Sequence, residues 1–245
     1  MNAPVRLPHA VLDEPSRVLK ARKIIALLGE DRFADARTLL EVGCGSGVIS
    51  RTLAKLGGPR LSVTAVDVND NRMESEGYAF LKVEGTTLPF DDGSFDIVVS
   101  NHVIEHVGER ADQLHHLKEI HRVLRPGGCV YLAVPNKWRL IEPHYRLPLL
   151  SWIPQRAADL YLRLFGRGSR YDCVPLSRSE ATVISREARF ESSELTIEAV
   201  RSTLRIEYPD SRIATVLADW TPDFLLASLK PVLSTLIFKL ESSGP

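Results

Sequence analysis

Apolar positions along this chain switch between two periods, and each switch falls at a glycine, proline or acidic turn. Leu39–Val42 is a short run of the kind that forms a strand buried on both faces. Gly43, Gly45 and Gly47 follow, and helical spacing resumes at Val48, Ile49 and Leu53 until Gly57-Gly58-Pro59 ends it. The same alternation predicts strands over 61–67, 80–84, 95–100 and 129–134. It predicts a short helix beginning at 69–73 and long helices over 13–28 and 110–124. In the first long helix Val18, Ile24, Ile25 and Leu28 share a face opposite Lys20, Arg22 and Lys23, with Gly29 placed to end it. In the second, Leu114, Leu117, Ile120, Val123 and Leu124 keep the spacing, and Arg125-Pro126-Gly127-Gly128 stops it. His115, His116 and His121 fall on or near its surface and suggest no site. Strand, glycine turn and helix in that order open a doubly wound α/β sheet, where ligands bind beyond the carboxyl ends of the strands.

The second half is less regular. Residues 135–177 hold Trp138, His144, Tyr145, Trp152, Tyr161, Phe165 and Tyr171 together with Arg139, Arg146, Arg156, Arg163, Arg167 and Arg170. Pro143, Pro148 and Pro154 break this stretch, and 157–165 has the spacing of a short amphipathic helix. A helix over 177–190 with Ser177 or Ser179 as cap follows, then an expected sixth strand over 195–200. Residues 224–240 can be drawn as one amphipathic helix, or as a helix to about Lys230 and an antiparallel seventh strand over 236–240; completing the sheet favours the strand. The expected organisation is an arm over 1–12 and one domain over 13–245 that carries an insertion at 135–177.

Composition narrows the function. The chain has 245 residues, 44% of them hydrophobic, enough for one large α/β domain. Lysine plus arginine and aspartate plus glutamate both number 31, so no overall basic field favours nucleic acid. Cys44, Cys129 and Cys173 show neither metal-ligand spacing nor a disulfide framework. With no leading apolar run and no membrane-span-length stretch, the expected compartment is the cytoplasm.

The glycine turn separates ligand classes. A dinucleotide fingerprint, G-x-G-x-x-G, would need its third glycine where Val48 stands, which disfavours a nicotinamide oxidoreductase. The turn is instead G-x-G-x-G with Glu41 two residues ahead. A carboxylate suits an ammonium, and the free amides of the following helix suit a carboxylate, so the pair suits an amino-acid moiety. Residues 41–47 resemble motif I of the class I S-adenosylmethionine-dependent methyltransferases, of the methyltransferase type 11 and ubiquinone-biosynthesis kind. That resemblance implies a Rossmann-like, seven-stranded, mostly parallel sheet and S-adenosylmethionine as cofactor. It covers 39–134 strongly and the flanks weakly. Asp67, 20 residues after Gly47, stands where the family's acid accepts the ribose hydroxyls, although an acid there also suits a turn or helix cap. Glu84-Gly85-Thr86-Thr87-Leu88-Pro89-Phe90 resembles the adenine-binding turn, with Glu84 where aspartate is commonest. The cofactor set so implied is Glu41, Gly43, Cys44, Gly45, Gly47, Asp67, Val68, Glu84, Gly85, Thr86 and Asn101.

Asn101 and His102 follow the fourth strand, where the resemblance puts the transferred methyl group. His106 admits three readings: a histidine holding loop geometry, a general base with His102 as the alternative, or part of a metal site. Ubiquinone-pathway O-methyltransferases carry Glu-x-x-Glu-His here; His102 replaces the first acid, while Glu105 and His106 match. No metal is assigned from the sequence. An insertion after the fifth strand would lie over the methyl group, so 135–177 reads as a substrate lid, its aromatics as pocket walls and its arginines as contacts for an anionic acceptor; a dimer surface is the other reading. The expected enzyme transfers a methyl group in line to a small-molecule oxygen nucleophile on a metabolite, glycan or lipid-linked substrate. A protein or RNA methyltransferase and a non-catalytic cofactor-binding protein are the alternatives. The C-terminal region is a candidate for peripheral membrane or lipid contact, and monomer and homodimer both stay open.

Overall fold

The structure, a computed structural model, describes residues 13–242. The arm expected over 1–12 lies outside the described residues. In chain order the elements are α1 Glu14–Leu28, α2 Glu30–Asp35, β1 Thr38–Val42, α3 Val48–Gly57, β2 Ser62–Asp67, β3 Ala79–Lys82, β4 Phe95–Asn101, α4 Arg110–Val123 and β5 Leu124–Pro135. Then come β6 Ile141–Glu142, β7 Leu147–Pro148, α5 Gln155–Leu164, α6 Arg178–Glu187, β8 Phe190–Glu194, α7 Thr196–Glu207, α8 Arg212–Trp220, α9 Asp223–Leu229 and β9 Thr235–Ser242.

Among the described residues, seven strands form one sheet in the order β3-β2-β1-β4-β5-β9-β8. β1 pairs in parallel with both β2 and β4, so the strand order reverses between them. That reversal opens the crevice at the carboxyl ends of β1 and β4. β9 runs antiparallel to β5 and β8, as expected for the last strand. Alternation along the strands feeds two cores. Leu39, Ile97 and Val99 pack with Ile24, Ile49 and Leu53 on the α1–α3 face. Leu40, Val98 and Val130 pack with Leu117, Ile120 and Ile184 on the α4–α6 face.

Three expectations change. Residues 196–200 belong to helix α7, with Leu195 as its N-cap, and the sixth strand in sequence terms is β8, Phe190–Glu194. Its sequence is polar because it is the sheet edge with one half-buried face, which the two-sided apolar signal of an inner strand does not describe. Residues 69–73 form no helix; the Met73 and Glu74 amides donate to the Ser46 carbonyl and strap this segment over the glycine turn. His116 is buried against Ser100, 3.1 Å from its hydroxyl, and burial pushes the ring down to about 4. The insertion forms a body with its own core of Tyr145, Leu147, Leu150, Ala158, Leu162 and Tyr171.

Candidate functional site

The glycine turn is shaped first by the protein's own packing. Gly43 has φ +75°, and a Cβ there would overlap the Val103 side chain; a Cβ on Gly47, φ +77°, would overlap the Tyr78 hydroxyl and the Glu74 carbonyl. The positive φ is the backbone freedom expected of these glycines; the close packing of Val103 and Tyr78 against them was not foreseen. Cys44 is buried, and its carbonyl accepts the Gly47 amide at 3.0 Å.

Glu41 is 2% exposed and accepts a hydrogen bond from Ser50 of α3. Burial raises its carboxyl to about 7, against the Ser50 hydrogen bond and the Arg17 charge from α1. The acid therefore sits inside the base of the crevice, tied to two helices. Asp67 stands at the rim, half-buried, where it accepts the Gly45 amide at 2.9 Å and the Asn69 amide at 3.1 Å. A carboxylate has about four acceptor positions, so further lone pairs suit a diol. Val68 beside it is 46% exposed, an apolar platform at the strand end. Glu84 and Gly85 lie at solvent past β3, and Thr86 Oγ1 pairs with His115 Nδ1 at 2.6 Å, a partner the sequence reading missed.

At the end of β4, Asn101 is buried and its amide oxygen has no hydrogen-bond partner. A buried acceptor left open beside the glycine turn matches the ammonium of a methionine moiety. With the Asp67 rim, the Val68 platform and the turn amides, the residues present fit S-adenosylmethionine. Asn101, Asp67 and Val68 would hold it.

His102 comes next, at φ +59°, a backbone conformation rare outside glycine. Its Nδ1 is 3.4 Å from Glu105 Oε1, and its Nε2 is 3.4 Å from Thr235 Oγ1 at the start of β9. Glu105 is 2% exposed. Burial works to raise its carboxyl, but the His102 hydrogen bond and the charges of His102 and His106 outweigh it and hold Glu105 below the usual range. A carboxylate accepts at Nδ1, so Nδ1 carries the ring proton and Nε2 is left as an acceptor. His106 shares the same carboxylate at 3.8 Å. The sequence offered His106, or His102 in its place, as a general base; His102 lies nearer the Glu105 carboxylate, and His106 is the less exposed of the two. Glu105 as the group behind them was not recognised, because its partners are fixed by the turn at 104–106 and not by strand or helix period.

Six of the insertion's aromatics lie in three edge-on pairs. Trp138 meets Trp152 edge-on at 5.5 Å, Tyr145 meets Tyr171 at 5.8 Å, and Tyr161 meets Phe165 at 4.8 Å. Arg139 is buried with Glu142 at 2.5 Å, while Arg146, Arg156, Arg163, Arg167 and Arg170 lie at solvent. A cavity of about 300 Å³ opens between α1, α7 and the start of β9, lined in part by Lys20, Lys23, Tyr131, Thr203 and Thr235. The Tyr131 hydroxyl is buried there without a partner. Burial, with Lys23 and Arg17 nearby, lowers Lys20 to about 8. Thr235 is common to this cavity and to His102.

Comparison with known proteins follows the same lines. Residues 40–132 match the family described as Methyltransferase domain. The ubiquinone biosynthesis O-methyltransferase of Parvibaculum lavamentivorans is 29% identical over 139 residues, 52% of this chain and 52% of that protein. The chain thus spans about half the length of that relative. The demethylmenaquinone methyltransferase of Chlorobaculum tepidum is 31% identical over 196 residues, 75% of this chain and 76% of that protein. An S-adenosylmethionine-dependent methyltransferase from Mesorhizobium loti superposes with a TM-score of 0.55 at 14% identity, over 94% of this chain and 98% of that one, a likeness of fold.

Proposed function

The chain belongs to the class I S-adenosylmethionine-dependent methyltransferases, and on that premise we propose that it methylates a hydroxyl oxygen of a small, largely apolar acceptor, with His102 as general base. The observation that carries this reading is the His102–Glu105 pair at the methyl end of the crevice, a base backed by a buried carboxylate. Bound S-adenosylmethionine supplies an electrophilic methyl group on a sulfonium, already a good leaving group. The chain's part is alignment, a dry site and removal of one proton. The acceptor hydroxyl gives its proton to His102 Nε2 as its oxygen takes the methyl group. Glu105 keeps the imidazole in the required tautomer and stabilises its charged form.

Two features support an apolar acceptor. Relatives carry names from ubiquinone and menaquinone synthesis, and the cavity that shares Thr235 with His102 combines apolar walls with Lys20 and the Tyr131 hydroxyl. An acidic or phenolic group on an apolar body matches that lining.

Peripheral contact with a membrane surface belongs to the same reading. Ile213, Val216, Leu217 and Trp220 form one face of α8 and are exposed, Trp220 by 82%, and Phe224 of α9 continues the patch at 72%. Among the described residues no helix is long and apolar enough to cross a membrane.

Methyl-labelled S-adenosylmethionine offered with a panel of hydroxylated aromatic acceptors tests the proposal. Transfer by the native protein, with a loss of about 10²-fold or more in kcat for His102→Gln at unchanged S-adenosylhomocysteine affinity, is expected. No transfer to any acceptor, or a His102→Gln variant as active as the native protein, overturns it.

A further inference from the structure

Three segments distant in sequence bring metal-binding atoms together below the base. His106 lies in the turn after β4, His144 in the loop between β6 and β7, and Cys173 in the segment leaving the insertion. Their ligand atoms all lie within 4.8 Å of one another. Cys173 Sγ is 3.7 Å from His106 Nδ1, and the two imidazoles meet edge to face with centroids 5.8 Å apart. Tetrahedral zinc with nitrogen ligands at about 2.0 Å and sulfur at about 2.3 Å separates them by roughly 3.3–3.7 Å. The cysteine–histidine pair already has that spacing, and small rotations of the side chains supply the rest.

A second observation is independent of the cluster's spacing. His106 presents its other nitrogen, Nε2, to Glu105 Oε1 at 3.8 Å, and Glu105 Oε2 is buried with no hydrogen-bond partner. A carboxylate behind a histidine, on the side away from the ion, is the usual backing of a metal-bound imidazole, and it draws in as the ligand gains positive charge.

We propose that His106, His144 and Cys173 bind one zinc ion, with a fourth position open. Thiolate and imidazole donors select zinc over magnesium or calcium, which take oxygen ligands. Glu105 is the backing carboxylate in this arrangement and not a ligand. Binding forms a zinc–sulfur bond and releases the Cys173 proton to solvent. The ion joins the insertion to the turn that carries His102 and Glu105. The chain already bridges there, since the Val174 amide donates to the Glu105 carbonyl at 2.8 Å. This role of closing the insertion over the acceptor rests on the function proposed above.

The full chain, stripped with a chelator and titrated with cobalt(II) as the spectroscopic stand-in for zinc, tests the site. One ion per chain is expected, with the visible absorption of a tetrahedral centre and a sulfur-to-cobalt charge-transfer band in the near ultraviolet. Cys173→Ser removes that band, and His144→Gln weakens binding about tenfold or more, with circular dichroism reporting on the fold of each. No bound cobalt, a centre lacking the charge-transfer band, or a band that survives Cys173→Ser overturns the proposal. S-adenosylhomocysteine binding and methyl transfer are measured separately, so failure of the methyltransferase reading leaves the metal result standing and the reverse.

Discussion

Asp67 accepts the backbone amide of Gly45 at 2.9 Å, so the end of β2 is tied to the middle of the glycine turn before any ligand arrives. One carboxylate therefore positions the turn and presents lone pairs to the crevice. Removing it costs both.

Asp67→Ala is expected to weaken S-adenosylhomocysteine binding by about 10- to 100-fold, the range for loss of hydrogen bonds to a charged group. Asp67→Asn keeps an oxygen acceptor for Gly45 and loses less. Isothermal calorimetry reads both values. Binding by Asp67→Ala within twofold of the native protein would show that the rim acid does not hold the ribose.

Glu41 gives stability a pH dependence of definite sign. Burial raises its folded value from 4.5 to about 7, so the folded state holds the proton more tightly than the unfolded chain does. Its contribution is complete below pH 4.5 and is lost as pH rises through 7. Glu41→Gln removes the titration and keeps an acceptor for Ser50. In urea unfolding the variant and the native protein are expected to match near pH 4.5 and to diverge as pH rises, with the variant on the order of 2–3 kcal/mol more stable at pH 8. A difference that stays flat across this range would mean that Glu41 does not ionise within it.

The insertion depends on a buried pair. Arg139 is 4% exposed and Glu142 fully buried, and Glu142 also accepts the Tyr145 amide at 2.8 Å. Glu142→Ala leaves the guanidinium buried and uncompensated, a loss of about 3–5 kcal/mol. Because the insertion has its own core, the damage is expected there first: limited proteolysis cuts within 136–177 while β-sheet circular dichroism persists. Replacing both with Arg139→Met and Glu142→Leu is expected to restore most of the protection. Equal protease resistance in native protein and Glu142→Ala would show that the pair carries no such load.

Much of the cofactor crevice was legible in the sequence. Leu39–Val42, the three glycines and Val48–Leu53 are consecutive, and local rules govern them: an apolar run buried on two faces, a turn with positive φ, a helix start. Asp67 was legible because it ends a strand of the same kind. The methyl end was legible only as a list. His102 and His106 were named, but nothing in their spacing singled out the one that Glu105 orients against Thr235, 133 residues away from His102. The aromatic insertion was legible only as composition. Composition counts aromatic rings but not their directions: Tyr145 and Tyr171 pair inside a small separate core, while Trp138 and Trp152 pair at the surface.

By itself the sequence determined the sheet, the glycine turn and the acids that flank it, because each is set by hydrophobic period and backbone freedom within a few residues. The tertiary structure alone decided that 190–194 and not 195–200 is the edge strand, since a polar strand is defined by the neighbour it pairs with. It alone decided that Gly43 must lack a side chain because Val103 packs against it. It alone brought Cys173 and His144 to His106. Contacts of that kind join residues far apart in the chain, and their distances come from packing and register, which leave no period in the sequence to read.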